Sequence, residues 1–232
     1  MTQAPCAFIF DMDGTIVDNM AFHTDSWLAF FARRGKTYDP DAFFRETAGA
    51  QVREILRERL GPDIPEDEIA VLAQEKDVLY REMYGPHRSA IQGFEGFVAA
   101  ARAQGVKLAV ATSAPPANIV FTLDDLDLRR HFDAVVGAAD VARGKPHPDV
   151  FLKAAEKLGV DPRDCIVFED APMGVEAARR AGMKAVVITT TLPASAFREF
   201  DNVVRIVAHY DELNVRNMRV GDMRVGDLLG TP

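Results

Sequence analysis

Ala7-Phe8-Ile9-Phe10-Asp11-Met12-Asp13-Gly14-Thr15 is an apolar run that ends in two carboxylates and a glycine. Four consecutive apolar residues suit a strand buried on both faces of a parallel sheet. Asp11 and Asp13 are two apart, so in extended chain they leave on the same side. Gly14 permits a sharp turn just beyond them. Two acids at the carboxyl end of a central strand occupy the place where open α/β sheets hold ligands. They repel unless a cation or a shared proton relieves them. The competing reading is a solvated Asp-rich turn, since Asp and Gly are ordinary turn formers.

Working outward, the chain has 232 residues, enough for a sizeable core or a core with an insertion. A content of 48% hydrophobic and 27% charged residues is that of a soluble globular protein. A formal charge of -8 argues against nucleic acid and anionic membrane as main partners. There is neither a secretory signal pattern nor an apolar run of membrane-spanning length, so a cytoplasmic location is expected. Cys6 and Cys165 each stand at the head of an expected strand and read as small buried hydrophobes.

After the opening strand the pattern is helical from about residue 18 to 87. Helices are expected over 20–34, 39–47, 49–60 and 65–84, the first with Met20, Trp27, Leu28 and Phe31 on one stripe. From Ile91 strands and helices alternate: helices over 94–104, 115–124, 148–158 and 172–181, strands over 106–112, 134–137, 165–168, 184–190 and 203–207. Such alternation implies a parallel sheet. The fold class is therefore α/β: a Rossmann-like three-layer core (1–17 and 88–232) with an inserted four-helix cap (18–87) and hinges near 16–19 and 86–92. The repeat Met218-Arg219-Val220-Gly221-Asp222, Met223-Arg224-Val225-Gly226-Asp227 is too short for a solenoid and reads as a loosely ordered tail.

Four expected strand ends carry polar residues. Asp11 and Asp13 are the first. Thr112-Ser113 is the second; a helix N-terminus follows, so it reads either as an anion site or as a helix cap. Lys145, in Gly144-Lys145-Pro146-His147-Pro148, is a loop cation that needs a nearby anion to have a role. His147 reads as a cap or packing residue rather than a base, because Pro148 suits the first helical position. Glu169-Asp170 closes a buried strand, where carboxylates need partners. Hard carboxylate oxygens of this kind suit Mg²⁺.

The order Asp-x-Asp-Gly-Thr, Thr-Ser, Lys-Pro, Glu-Asp, with a helical insertion after the first motif, resembles the haloacid dehalogenase-like superfamily. It is most similar to the phosphatase and β-phosphoglucomutase branch. The resemblance extends to about residue 213. It implies that Asp11 is the phosphoryl-accepting nucleophile and Asp13 the general acid/base. It further implies that Thr112, the Ser113 amide and Lys145 hold the phosphoryl group. Mg²⁺ would be held by Asp11, Asp170 and the main-chain carbonyl of Asp13, with Glu169 ligating directly or through a neighbour. Dehalogenases and phosphonate hydrolases of the group lack the second Asp, so Asp13 favours O–P cleavage.

The insertion is expected to choose the substrate. His23 lies four residues before Trp27, and Lys76 falls on an apolar helical stripe between Ile69 and Met83. Lys76 either snorkels to solvent or faces a cleft. Residues at positions like His23 and Lys76 contact the sugar in β-phosphoglucomutase-like proteins. Where that mutase carries an Arg, this chain has Val52, with Arg53 one residue on, turned by about 100° on a helix. The expectation is a Mg²⁺-dependent phosphatase for a small phosphomonoester, a sugar phosphate being one such substrate. A sugar-phosphate mutase and a non-catalytic binding protein on the same scaffold are the alternatives. The oligomeric state is left open, a monomer being compatible with the sequence.

Overall fold

The computed structural model describes residues 6–47 and 51–215. These residues form two compact units, one from residues 6–18 with 89–215 and one from 19–47 with 51–88.

The first unit is built on a six-stranded sheet, every strand pair parallel. Its strands are β1 (Ala7–Phe10), β2 (Lys107–Ala111), β3 (Ala134–Val136), β4 (Cys165–Glu169), β5 (Lys184–Ile188) and β6 (Val203–Val207). The spatial order β3-β2-β1-β4-β5-β6 puts β1 in the middle. The chain winds outward through β2 and β3, then returns to the other side of β1 with β4. The switch point is therefore the crevice beyond the ends of β1 and β4, where doubly wound sheets bind ligands.

Alternation along β1 divides the core. Ala7 and Ile9 belong to the cluster that holds Val150, Phe151, Ala154 and Leu158 of α7 (Asp149–Leu158) and Val175, Ala177 and Ala178 of α8 (Pro172–Arg180). Phe8 and Phe10 face the other way. There they meet Phe94 and Phe97 of α5 (Phe94–Ala103), together with Phe168 and Tyr210. Small residues on one face and phenylalanines on the other fit tightly packed helices to the first and an aromatic layer to the second.

The second unit contains α1 (Met20–Ala32), α2 (Pro40–Thr47), α3 (Val52–Leu60) and α4 (Glu66–Tyr84). They enclose Trp27, Phe30, Phe31, Phe43, Ile55, Leu56, Ile69, Leu72 and Leu79. The buried side of α1 is Ser26, Trp27, Phe30 and Phe31, so the apolar stripe runs through Phe30, with Met20 and Leu28 at its margins. α3 opens at Val52, where Gln51 and Glu54 form a reciprocal capping box. The earlier part of the helix expected from residue 49 lies outside the described residues, as does the 218–227 repeat.

Two local expectations change. The helix expected over 115–124 is an α-helical turn, α6 (Pro116–Ile119), that widens into a π-helical stretch at Val120–Asp124. Pro148 stands before the first residue of α7, not at it, and no side chain caps that helix, so the capping role for His147 fails. Its amide instead donates to the Gly144 carbonyl at 3.0 Å. Burial pushes the Cys165 thiol up to about 12, which suits an inert packing residue.

Candidate active site

The register of the central strands sets the site. Phe10 is level with Val110 of β2 and with Phe168 of β4, so the residues that follow all three emerge at one sheet edge. Asp11 leaves β1 with its amide still bonded to the Phe168 carbonyl at 2.9 Å. Residues 12–17 fold back as a tight loop. The Gly14 amide donates to the Val17 carbonyl at 2.8 Å, and the Ile16 amide to the Met12 carbonyl at 2.8 Å. Gly14 has φ +78, and a Cβ there would overlap the Asp170 carboxylate, so only glycine fits.

Lys145 joins the site from the far side of the sequence. Its ammonium donates to Asp11 Oδ1 at 2.7 Å and to Glu169 Oε1 at 2.6 Å. The loop that carries it is stapled by two bonds from Arg143 to Asp149, at 2.9 and 2.8 Å. Glu169 is fully buried and has no freedom left. Its Oε2 accepts from the amides of Asp170 and Ala171, both at 3.0 Å. Asp170, also buried, accepts from the Thr15 hydroxyl on Oδ1 at 3.0 Å and from the Thr191 hydroxyl on Oδ2. Thr190 donates to the Gly14 carbonyl.

One oxygen each of Asp11, Glu169 and Asp170 lies within 4.8 Å of the others. With Lys145 as their ammonium partner, three ionised carboxylates leave two negative charges uncompensated. The consequence shows in their proton affinities. Burial, aided by the charges of Glu169 and Asp13 and opposed by Lys145, raises Asp11 to about 7. Burial first, then Glu169 and Asp11, raises Asp170 well above the carboxylate range, against the two threonine hydroxyls. Burial opposes the charge on Lys145, yet Asp11 and Glu169 outweigh it and hold the ammonium above the usual lysine range. A buried, oxygen-only, electron-rich group fits a small hard dication.

The remaining expected residues divide. Thr112 is buried at the same sheet edge. Its hydroxyl oxygen accepts from the Ala114 amide at 3.0 Å, which leaves the hydroxyl proton to donate. Ser113 is exposed and does not cap α6, whose cap position is Pro115. Asp13 is half-buried and bridges to Val17, outside the carboxylate trio. In the helical unit, Lys76 does not snorkel: it is 3% exposed and donates to His23 Nδ1 at 2.8 Å and to Asp77 at 3.4 Å. An ammonium has only hydrogens to give, so Nδ1 is the acceptor. The His23 ring stacks on Tyr80 with centroids 3.9 Å apart. Arg53 is exposed on the first turn of α3 beside Val52, which is 36% exposed, and does not join that pair.

Sequence reading passed over Thr15, Thr190 and Thr191. Thr15 lay within the first motif. The pair 190–191 follows β5, another apolar run ending in hydroxyls at the same sheet edge, and that pattern was the available signal.

Known proteins resemble this chain in sequence and in fold. The family description of haloacid dehalogenase-like hydrolases matches residues 7–182. The fructose-1-phosphate phosphatase YqaB of Escherichia coli K12 is 34% identical over 192 residues, covering 80% of this chain and 97% of that protein. Among solved structures, a family IA variant 3 hydrolase from Entamoeba histolytica superposes with TM-score 0.85 at 26% identity, covering 90% of this chain and 96% of the other. A β-phosphoglucomutase from Clostridium difficile superposes with TM-score 0.77 at 25% identity, covering 90% and 93%. The family match spans most of the chain and takes in Asp11, Lys145, Glu169 and Asp170, so the protein belongs to the haloacid dehalogenase-like hydrolases.

Proposed function

We propose that the protein is a Mg²⁺-dependent phosphatase that hydrolyses a small phosphomonoester, with a sugar phosphate as the substrate class. The observation that carries this reading is the buried Asp11–Lys145–Glu169 chain beside Asp170, at the switch point of the sheet. The phosphatase name of the Escherichia coli relative supports the substrate class.

Asp11, at the open edge of β1, attacks phosphorus. The bond to the leaving oxygen breaks as Asp13 gives that oxygen a proton. Asp13 then takes a proton from water, the water oxygen attacks the aspartyl-phosphate, and inorganic phosphate leaves with Asp11 restored. Lys145 keeps its proton throughout and balances charge on Asp11 and the phosphoryl oxygens, with the Thr112 hydroxyl and Ser113 amide as further donors. Glu169, bound on both oxygens, acts by aiming Lys145. Asp11, Asp170 and the Asp13 carbonyl would hold Mg²⁺, which when bound neutralises the phosphoryl oxygens. His23 and Lys76 are the helical unit's contribution to substrate choice.

The β-phosphoglucomutase likeness keeps the mutase reading as the second one. Product analysis separates them. Purified protein with a sugar phosphate and Mg²⁺ should release free phosphate in step with substrate loss. Isomerisation that outruns phosphate release under a bisphosphate primer overturns the hydrolase reading. A protein that turns over no phosphomonoester in a broad screen is a binder.

A further inference from the structure

Tyr210 belongs to no motif and stands near the end of the described chain, in a single 3-10 turn (Tyr210–Glu212). It is nevertheless one of the most buried large side chains, 1% exposed. Its ring packs on Phe94, Phe97, Phe168 and Phe10, with centroids 5.1 to 6.3 Å away. Its hydroxyl donates to the Thr15 carbonyl at 2.9 Å. Burial, reinforced by Asp170 and Asp11, raises the phenol well above its usual range and keeps it a donor.

Thr15 is thereby held at both ends. The carbonyl takes Tyr210; the hydroxyl goes to Asp170 Oδ1 at 3.0 Å. The turn that carries Tyr210 is itself fixed by contacts elsewhere in the unit. The Tyr210 amide donates to the Gln92 carbonyl at 3.0 Å, and Gln92 Nε2 donates to Asp211 Oδ2 at 2.9 Å. At Gly93, φ +79, a Cβ would overlap the Asp211 carboxylate, so the approach there requires glycine. The Ile91 amide closes the loop onto the Ile16 carbonyl at 2.8 Å. Residues 210–211 thus tie the 12–17 loop to the segment that returns at 91–93.

We propose that Tyr210 is a positioning residue for the acidic site: through Thr15 it fixes Asp170 relative to Asp11 and so sets the affinity for the divalent cation. This rests on the reading of Asp11 and Asp170 as cation ligands. Groups that hold metal ligands from behind commonly change metal affinity by about ten- to a hundredfold when lost. Tyr210 acts at one remove, so the lower end applies.

Tyr210→Phe keeps the ring and deletes the bond. Calorimetric titration of Mg²⁺ into the full chain, without substrate, should give a Kd about tenfold weaker than wild type. Turnover of p-nitrophenyl phosphate at saturating Mg²⁺ should return to within about twofold of wild type, and its KM should not move. Phe197→Leu, a core change elsewhere in the same unit, controls for general loosening: Tm falls while the Mg²⁺ Kd stays. A wild-type Kd in Tyr210→Phe overturns the inference and leaves the phosphatase reading standing. So does an equal weakening in Phe197→Leu. A wild-type protein that binds no Mg²⁺ and works in chelator overturns both.

Discussion

Gly174→Ala is a small change whose sign discriminates between two views of Glu169. Gly174 is the third residue of α8, and Gly→Ala inside a helix ordinarily stabilises by about 0.5–1 kcal/mol. Here a Cβ would overlap Glu169 Oε1 and Cδ and lie 2.6 Å from Oε2. The end of a glutamate is normally free to swing aside. This one is fully buried, with one oxygen on Lys145 and the other on two backbone amides, so any movement breaks a charge-assisted bond. Each such bond contributes about 1.5–3 kcal/mol. Losing one and gaining the helix term leaves a net destabilisation of about 0.5–2.5 kcal/mol. The effect on rate should be larger, because Lys145 loses one of its two anchors beside Asp11. A loss of about ten- to a hundredfold in kcat/KM corresponds to about 1.4–2.8 kcal/mol at the transition state. The assay pairs initial rates on p-nitrophenyl phosphate with urea unfolding followed by circular dichroism. Gly96→Ala is the matched control: also third in its helix, α5, with nothing within 4 Å of the added Cβ. It should be neutral to slightly stabilising and fully active. If Gly174→Ala behaves like Gly96→Ala, Glu169 yields freely and is not the clamp on Lys145.

Three further outcomes are expected. Asp11→Asn should cut turnover at least about a thousandfold while thermal unfolding stays cooperative; retention of a tenth of the rate removes Asp11 as nucleophile. Excess chelator should abolish turnover and Ca²⁺ should restore it poorly, since Mg²⁺ requires a tighter octahedral shell; full activity in chelator refutes the metal assignment. The metal-free protein should be sensitive to pH through Asp11, raised from 3.8 to about 7. Between those values the folded state holds a proton that the unfolded chain releases, so this contribution to stability is present below the lower value and lost as pH rises through the upper one. Mg²⁺ competes with that proton. The Tm gained on adding Mg²⁺ should therefore grow from about pH 5.5 to about pH 8, and a pH-independent gain counts against Asp11 as a ligand of the cation.

The strands were legible because each is a short apolar run closed by polar residues, and parallel pairing needs little else from the sequence. Their order was implied only as far as alternation implies a parallel sheet. The acids were legible for the same reason: a carboxylate that ends a buried strand is conspicuous. What escaped were neutral hydroxyls. Thr15, Thr190 and Thr191 resemble any threonine at a strand end, and only the fold shows that two of them take opposite oxygens of Asp170. The His147 cap failed because Pro148 sits one residue earlier relative to α7 than its usual first-turn preference suggests. The inward setting of Lys76 was visible in its heptad spacing from Ile69 and Met83. Its partner His23 was not, because the two come from different helices.

If the site takes a divalent cation as proposed, its uncompensated charge is what keeps it inert beforehand. The proposed attack needs Asp11 as a carboxylate, yet with Lys145 as its cation it is raised to about 7. A second lysine would have ionised it permanently. On the same reading it would also have let Asp11 meet a phosphate without the hard cation that would spread transition-state charge. The chain instead brings Asp170, itself buried and reluctant to ionise, against Asp11. Beyond burial, Glu169 raises both carboxyls and Asp11 further raises Asp170, so added positive charge favours the ionised form of each. On the proposed reading one event arms nucleophile and ligand together: a dication offsets the two uncompensated charges of the site, so its local charge no longer adds to the -8 of the whole chain in repelling an anionic substrate.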